Sequence, residues 1–388
     1  MFDLDIYQIP SPALEILVAL LGLAVGSFLN VLALRTLKEE SIWRKWSYCP
    51  DCQARLSPLE LIPVVSYLLQ KGKCKHCRKP IHWQYPVVEA VTAILFVTEV
   101  MLFAHWSDSV FVRTMTVLAM LYLTATLIAI TITDFREKLI PHEITYPAII
   151  LGIIYSAFVR QDLLGTMAGV GASYIIFDFI DHFGTQFFFY LHPEMKEKDD
   201  TPESDIDDEI DTTFEVGRPH AGDSDEPFMV MGGGDAVLSA LLAAWLGWQK
   251  LIPALVIGFL VGAIMGGVYL MLEMKKEKML HIALRRGLSG FVIFAGAMSL
   301  AILALCRTFQ TNLFQEPMVY LLLLALGVGG ATLGVMSSPG PRLVKHFPFG
   351  PALAIGGLCS IFLIVSSEEG FIRSEPNGGI IQSNGYLR

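Results

Sequence analysis

Charge is scarce in this chain. Aspartate, glutamate, lysine and arginine together make up 17% of its 388 residues, while 53% are hydrophobic. Soluble domains carry about 25% charged residues, and a mean hydropathy of +0.54 excludes that class. Residues 1–10 contain no lysine or arginine. The positive n-region of a cleavable signal peptide is therefore missing, and the first apolar run is expected to be a permanent span with its N-terminus outside. Cysteine is sparse too, at six residues, four of them in one short segment. There is no G-x-S-x-G, no H-E-x-x-H and no P-loop, so serine hydrolase, zincin and P-loop chemistry find no support.

Long apolar runs are what the chain has. A helix crosses a bilayer with about 20 such residues. The sequence predicts ten spans, at 14–34, 87–103, 114–133, 141–159, 163–183, 229–248, 253–272, 287–306, 318–336 and 349–365. Starting outside puts 22 lysines and arginines in the inner segments and six in the outer ones, the asymmetry that sets orientation. The predicted fold is an all-α polytopic integral membrane protein of about ten transmembrane helices with a small cytoplasmic zinc-binding domain. Its parts are a first helix at 1–34, a cytoplasmic four-cysteine domain at 35–85 and helices two to five at 86–193. An acidic loop follows at 194–228, then helices six to ten at 229–366 and a polar tail at 367–388. Both termini are expected outside.

The net charge of −9 belongs to one place. Residues 194–226 hold fourteen acids against Lys196, Lys198 and Arg218, a local charge of −11. Almost free of apolar residues, this loop is expected to be disordered, and its plain reading is a solubilising spacer.

Cys49-Pro50-Asp51-Cys52 and Cys74-Lys75-His76-Cys77 are separated by 21 residues. Two C-x-x-C knuckles at that distance suit a tetrahedral zinc site of Cys49, Cys52, Cys74 and Cys77. Disulfides and unpaired thiols are the competing readings, and disulfides are disfavoured on the reducing side of a membrane. His76 is expected to face water, and Cys306 and Cys359 to be small core residues.

Two carboxylates stand at helix ends on the same expected side. Asp134 closes the third span, and Asp235 follows Gly232-Gly233-Gly234 at the mouth of the sixth, 101 positions later. Alone, Asp134 reads as an interfacial aspartate. Together they suit an aspartyl protease, in which one carboxylate takes a proton from water and the other hydrogen-bonds the scissile carbonyl. The glycines let a substrate backbone approach. Asp178 and Asp181 share a helix face and, with His182, read as solvated interfacial groups beside the aromatic run 187–190. Gly258, Gly262 and Gly266 read as a helix-packing face, and so do Gly26 and its neighbours.

These residues resemble the type IV prepilin peptidases. The resemblance is carried by Gly26-Ser27-Phe28-Leu29-Asn30-Val31, the two knuckles, Ile62-Pro63-Val64-Val65-Ser66-Tyr67-Leu68 and Tyr85-Pro86-Val87-Val88-Glu89. It continues in Asp134 with Ile140-Pro141, in Gly232–Asp235 and in Pro348-Phe349-Gly350-Pro351. It implies a catalytic pair of Asp134 and Asp235 supported by Gly232, Gly233 and Gly234. It implies cleavage after a glycine that ends a short basic leader of prepilins or pseudopilins, on the cytoplasmic side of a bacterial inner membrane. It further implies N-methylation of the new terminus from S-adenosylmethionine, associated with the cysteine-bearing domain, although no methyl-donor site is legible. The implied partners are such substrates, with their hydrophobic helices, and the lipid bilayer; no nucleic acid is expected. The sequence departs from the family at Val237, where a lysine is usual, and at His142, where an acidic or amide residue is usual. The acidic loop and the region 287–336 are additions. A transporter or scaffold that kept the fold is the alternative.

Overall fold

In this computed structural model, residues 11–38, 40–41, 46–103, 109–191, 232–276 and 349–372 are described, with scattered positions between 285 and 300. The long apolar runs form helices: α1 (Ser11–Leu37), α3 (Gln84–Phe103) and α4 (Val110–Glu137). Between α1 and α3 lie a 3-10 turn (Pro58–Leu61) and the short α2 (Val65–Leu69). α5 (His142–Tyr155) runs on as a π turn (Ser156–Arg160), and α6 (Leu163–Leu191) follows. Then come α7 (Gly233–Leu246), α8 (Trp248–Lys276) and α9 (Gly350–Ile372). The described residues contain no strand, only the isolated bridges Tyr48–Arg55 and Lys73–Pro80. Among the described residues, six helices are long and apolar enough to cross a membrane. The predicted span 318–336 and the acidic loop lie outside the described residues, as does most of 287–306.

α4 is the centre of the bundle. Its most apolar window is 72% buried, against at most 39% for the other long helices. α7 packs chiefly against α6 and α5 and corrects the sequence reading of a full span at 229–248. Its 14 residues rise about 21 Å, short of the ~30 Å hydrocarbon layer. Gly232 caps its start, and Gly247, at φ 75°, stops it. Every residue from Asp235 to Leu246 is buried, as expected of a helix that is apolar all round.

Small residues set two close crossings. A Cβ on Gly26 would lie 2.7 Å from the Glu89 Cα, so α1 and α3 touch backbone to backbone. A Cβ on Gly258 would lie 3.1 Å from the Leu353 Cα, and Gly262 meets Phe349, which brings α8 against α9. Among the described residues nothing lies within 4 Å of a Cβ on Gly266. At one end of the bundle Trp245 donates to the Ala148 carbonyl at 2.9 Å, and Arg160 donates to the Trp245 carbonyl at 2.9 Å. At the other end Asn30, Gln84 and Arg136 join α1, α3 and α4: Gln84 donates to Asn30 Oδ1 at 3.4 Å, and Arg136 donates to Gln84 Oε1 at 3.0 Å. That second end carries both groups of predicted site residues.

Candidate active site and candidate zinc site

Asp134 sits in the last turn of α4 and Asp235 in the first turn of α7. Both are buried, at 4% and 8% exposure. The chain topology turns the two helix ends towards the same side, and the carboxylates lie within Coulombic reach of each other. Asp235 is at the favourable, positive end of its helix, while Asp134 is at the negative end of its own. α9 offsets that. The Gly350 amide, at its N-terminus, faces the Asp134 carboxylate. Asp134 Oδ2 is buried with no hydrogen-bond partner among the described residues, which leaves an acceptor available. The Gly232 amide faces Asp235 in the same way.

Ile140 explains the spacing of three motifs. Its buried side chain wedges between α7 and α9. A Cβ on Gly234 would meet it at 3.0 Å, and one on Gly350 would meet it at 3.4 Å. Lys138, at φ 52° and ψ 37°, closes α4 and turns the chain so that Ile140 can reach that gap. Gly234 and Gly350 are therefore small for steric reasons. A Cβ on Gly233 would meet nothing within 4 Å among the described residues.

The departures fall nearby. Val237 is buried in α7. His142 opens α5, exposed, and stacks on Tyr146 with ring centroids 4.7 Å apart. Asp178 is exposed, in line with the sequence reading, but Asp181 is half-buried and electrostatically coupled to Asp235. Sequence spacing gave no sign of that proximity. Glu99 was also missed. Fully buried in α3, it accepts a hydrogen bond from Thr124 of α4, and its signal was a glutamate inside a predicted span.

The four cysteines converge. Their sulfurs all lie within 4.8 Å of one another. Cys49 Sγ and Cys77 Sγ are 3.9 Å apart, far from a disulfide bond but close to the ~3.8 Å between sulfurs that bind one zinc at about 2.3 Å. The two knuckles repeat one geometry. Cys49 N–H donates to the Ala54 carbonyl and Gln53 N–H to the Cys49 carbonyl; Cys74 N–H donates to Lys79 and Arg78 N–H to Cys74. The residue after each pair, Gln53 at φ 56° and Arg78 at φ 62°, turns left-handed. Backbone N–H groups of Cys77 and His76 hold the Cys74 thiol down at about 7, so this sulfur readily becomes a thiolate. The residues present thus fit zinc, which would clamp the two knuckles together. His76 points away from the sulfurs, its Nε2 3.6 Å from Glu60 Oε1.

Residues 20–103 match the Bacterial Peptidase A24 N-terminal domain, and residues 121–267 match the Type IV leader peptidase family. A protein of Aeromonas hydrophila named prepilin leader peptidase/N-methyltransferase is 30% identical over 64% of this chain and 79% of its own length. One of the same name from Pseudomonas aeruginosa is 30% identical over 66% of this chain and 80% of its own. Another, from Neisseria gonorrhoeae, is 29% identical over 73% and 91%. No solved structure matches the chain significantly. The chain belongs to the type IV leader peptidase family, peptidase A24.

Proposed function

We propose that this protein is a membrane-embedded aspartyl peptidase that removes the basic leader from prepilins or pseudopilins after a glycine, on the cytoplasmic side, and then N-methylates the new terminus with S-adenosylmethionine. The observation that carries the reading is the meeting of two buried aspartates, Asp134 and Asp235, at one end of the bundle. Two like charges held close in a low dielectric cannot both ionise, so the pair shares a proton.

In the proposed reaction the ionised carboxylate takes a proton from a water molecule, whose oxygen attacks the scissile carbonyl. The protonated carboxyl donates its hydrogen to the carbonyl oxygen. The C–N bond then breaks as a proton passes to the departing amine. Neither aspartate is assigned the acid role, because coupled groups titrate as a pair. Gly233, without a side chain, would admit the substrate backbone, while the substrate's apolar helix stays in the bilayer. The segment 35–85, closed by zinc on Cys49, Cys52, Cys74 and Cys77, would be the methyltransferase-associated domain. Helices at 86–193 and 229–366 would hold the peptidase, with the acidic loop 194–228 in the cytoplasm.

The test is mass spectrometry of a prepilin-like substrate incubated with the purified protein. The expected products are a leader ending in glycine and a shortened pilin, the latter gaining one methyl group when S-adenosylmethionine is added. A substrate left intact under every condition would return the chain to the transporter or scaffold reading.

A further inference from the structure

The segment between the knuckles leaves its apolar side chains uncovered. Neither the Pro58–Leu61 turn nor α2 contains a buried residue. Leu59 is 76% exposed, Leu68 67% and Leu69 78%, with Leu61, Ile62 and Val65 exposed beside them. Soluble surfaces seldom gather so many large apolar residues without a partner.

The depth of the segment indicates the partner. The Val64 N–H donates to Glu89 Oε2 at 2.7 Å. Glu89 is the sixth residue of α3, about 7.5 Å along a helix that is long enough to cross a membrane. The same carboxylate meets Ser27 of α1. Val64 holds φ 59° and ψ −49°, a conformation that a β-branched residue adopts only when its surroundings enforce it. The chain is thus pinned at Val64 to a point below the end of a span. Val87 and Val91, on the face of α3 opposite Glu89, are exposed, so α3 offers an apolar face at the depth where the segment is pinned.

Charge narrows the choice. Lys71, Lys73, Lys75 and Arg78 follow α2 directly, and all are exposed. A basic edge beside an apolar tip suits anionic lipid headgroups. The substrate leader, basic in the function proposed above, would be repelled by it. We propose that the segment Pro58–Leu69 is an interfacial hairpin. Its leucines enter the anionic leaflet, and the following lysines hold the zinc segment flat against the membrane.

Site-directed spin labelling of the full-length protein in nanodiscs tests this. A ketone-bearing residue at position 69 takes a nitroxide without touching the cysteines, and zinc content checks that the segment is folded. Controls are labels at Ile94, on the exposed face of α3, and at Gln53, on the exposed knuckle. In anionic nanodiscs the label at 69 is expected to resemble the one at Ile94, colliding several-fold more with oxygen than with a water-soluble nickel chelate. Lys71→Gln with Lys73→Gln is expected to move it towards water, as is neutral lipid. A label that behaves like the one at Gln53 overturns the proposal. So does one shielded from both reagents, or shielded only when substrate is added, since either result means a protein covers the hairpin. Prepilin cleavage is measured separately, so loss of the peptidase reading leaves this result standing.

Discussion

Replacing Gly350 by alanine should separate the geometry of the aspartate pair from the stability of the bundle. A Cβ at position 350 would lie 2.7 Å from Asp134 Oδ2 and 3.1 Å from its Cγ. Ordinary contact begins near 3.4 Å, so the carboxylate or the start of α9 must move by about 0.7 Å. Displacements of about 1 Å at reacting groups cost on the order of a hundredfold in rate. The expected effect of Gly350→Ala is a fall in kcat of about 30- to 100-fold, roughly 2 to 2.7 kcal/mol of barrier. KM should change little, because Gly350 contacts the carboxylate and not Gly233. Gly266→Ala is the control, since an added methyl there meets nothing within 4 Å among the described residues. The assay is steady-state cleavage of a prepilin-like substrate in detergent, with thermal unfolding followed on the same samples. Wild-type kcat in folded Gly350→Ala would refute the claim that α9 seats Asp134.

Gly26→Leu forces α1 off the Glu89 Cα and should destabilise the bundle by about 1–3 kcal/mol or more, seen as a lower unfolding temperature. Trp245→Phe removes the buried bond to the Ala148 carbonyl and should cost about 1–3 kcal/mol without lowering kcat, since Trp245 is at the opposite end of the bundle from Asp134. Cys49→Ser with Cys74→Ser should abolish zinc binding. Structural zinc contributes about 10–16 kcal/mol to folding of small peptides, so segment 35–85 should become protease-sensitive and methylation should stop. Leader cleavage should continue, because α4 and α7 carry the aspartates. Cleavage lost together with zinc would show that the two parts are not separable.

The long helices were legible because an apolar run needs no partner to identify it. α1, α3, α4, α6 and α8 fall where those runs fall. α7 was read too long for a physical reason: an apolar helix buried in protein and one exposed to lipid have the same composition. Only the glycine stops at its two ends, and its burial on every side, distinguish it. The cysteine knuckles were legible from spacing, since each turn closes locally. The contacts around the aspartates were not. Ile140 lies 94 residues before Gly234 and 210 before Gly350, and no local pattern reports that one side chain needs both glycines. The same limit applies to Asp181, whose neighbours in sequence are solvent-exposed while its electrostatic partner is on α7. Gly258, Gly262 and Gly266 share one spacing, but α9 begins opposite Gly262 and does not reach Gly266.

The central claim is that Asp134 and Asp235 act as one catalytic unit. Its most direct test is cleavage of a prepilin-like substrate by the purified wild-type protein, Asp134→Asn and Asp235→Asn, with zinc content measured on each. The account predicts cleavage by the wild type, at least a thousandfold loss in each variant on the order seen when a member of a catalytic unit is removed, and unchanged zinc in all three. Cleavage retained by either variant would contradict it and bring Asp181 forward as the remaining carboxylate near α7.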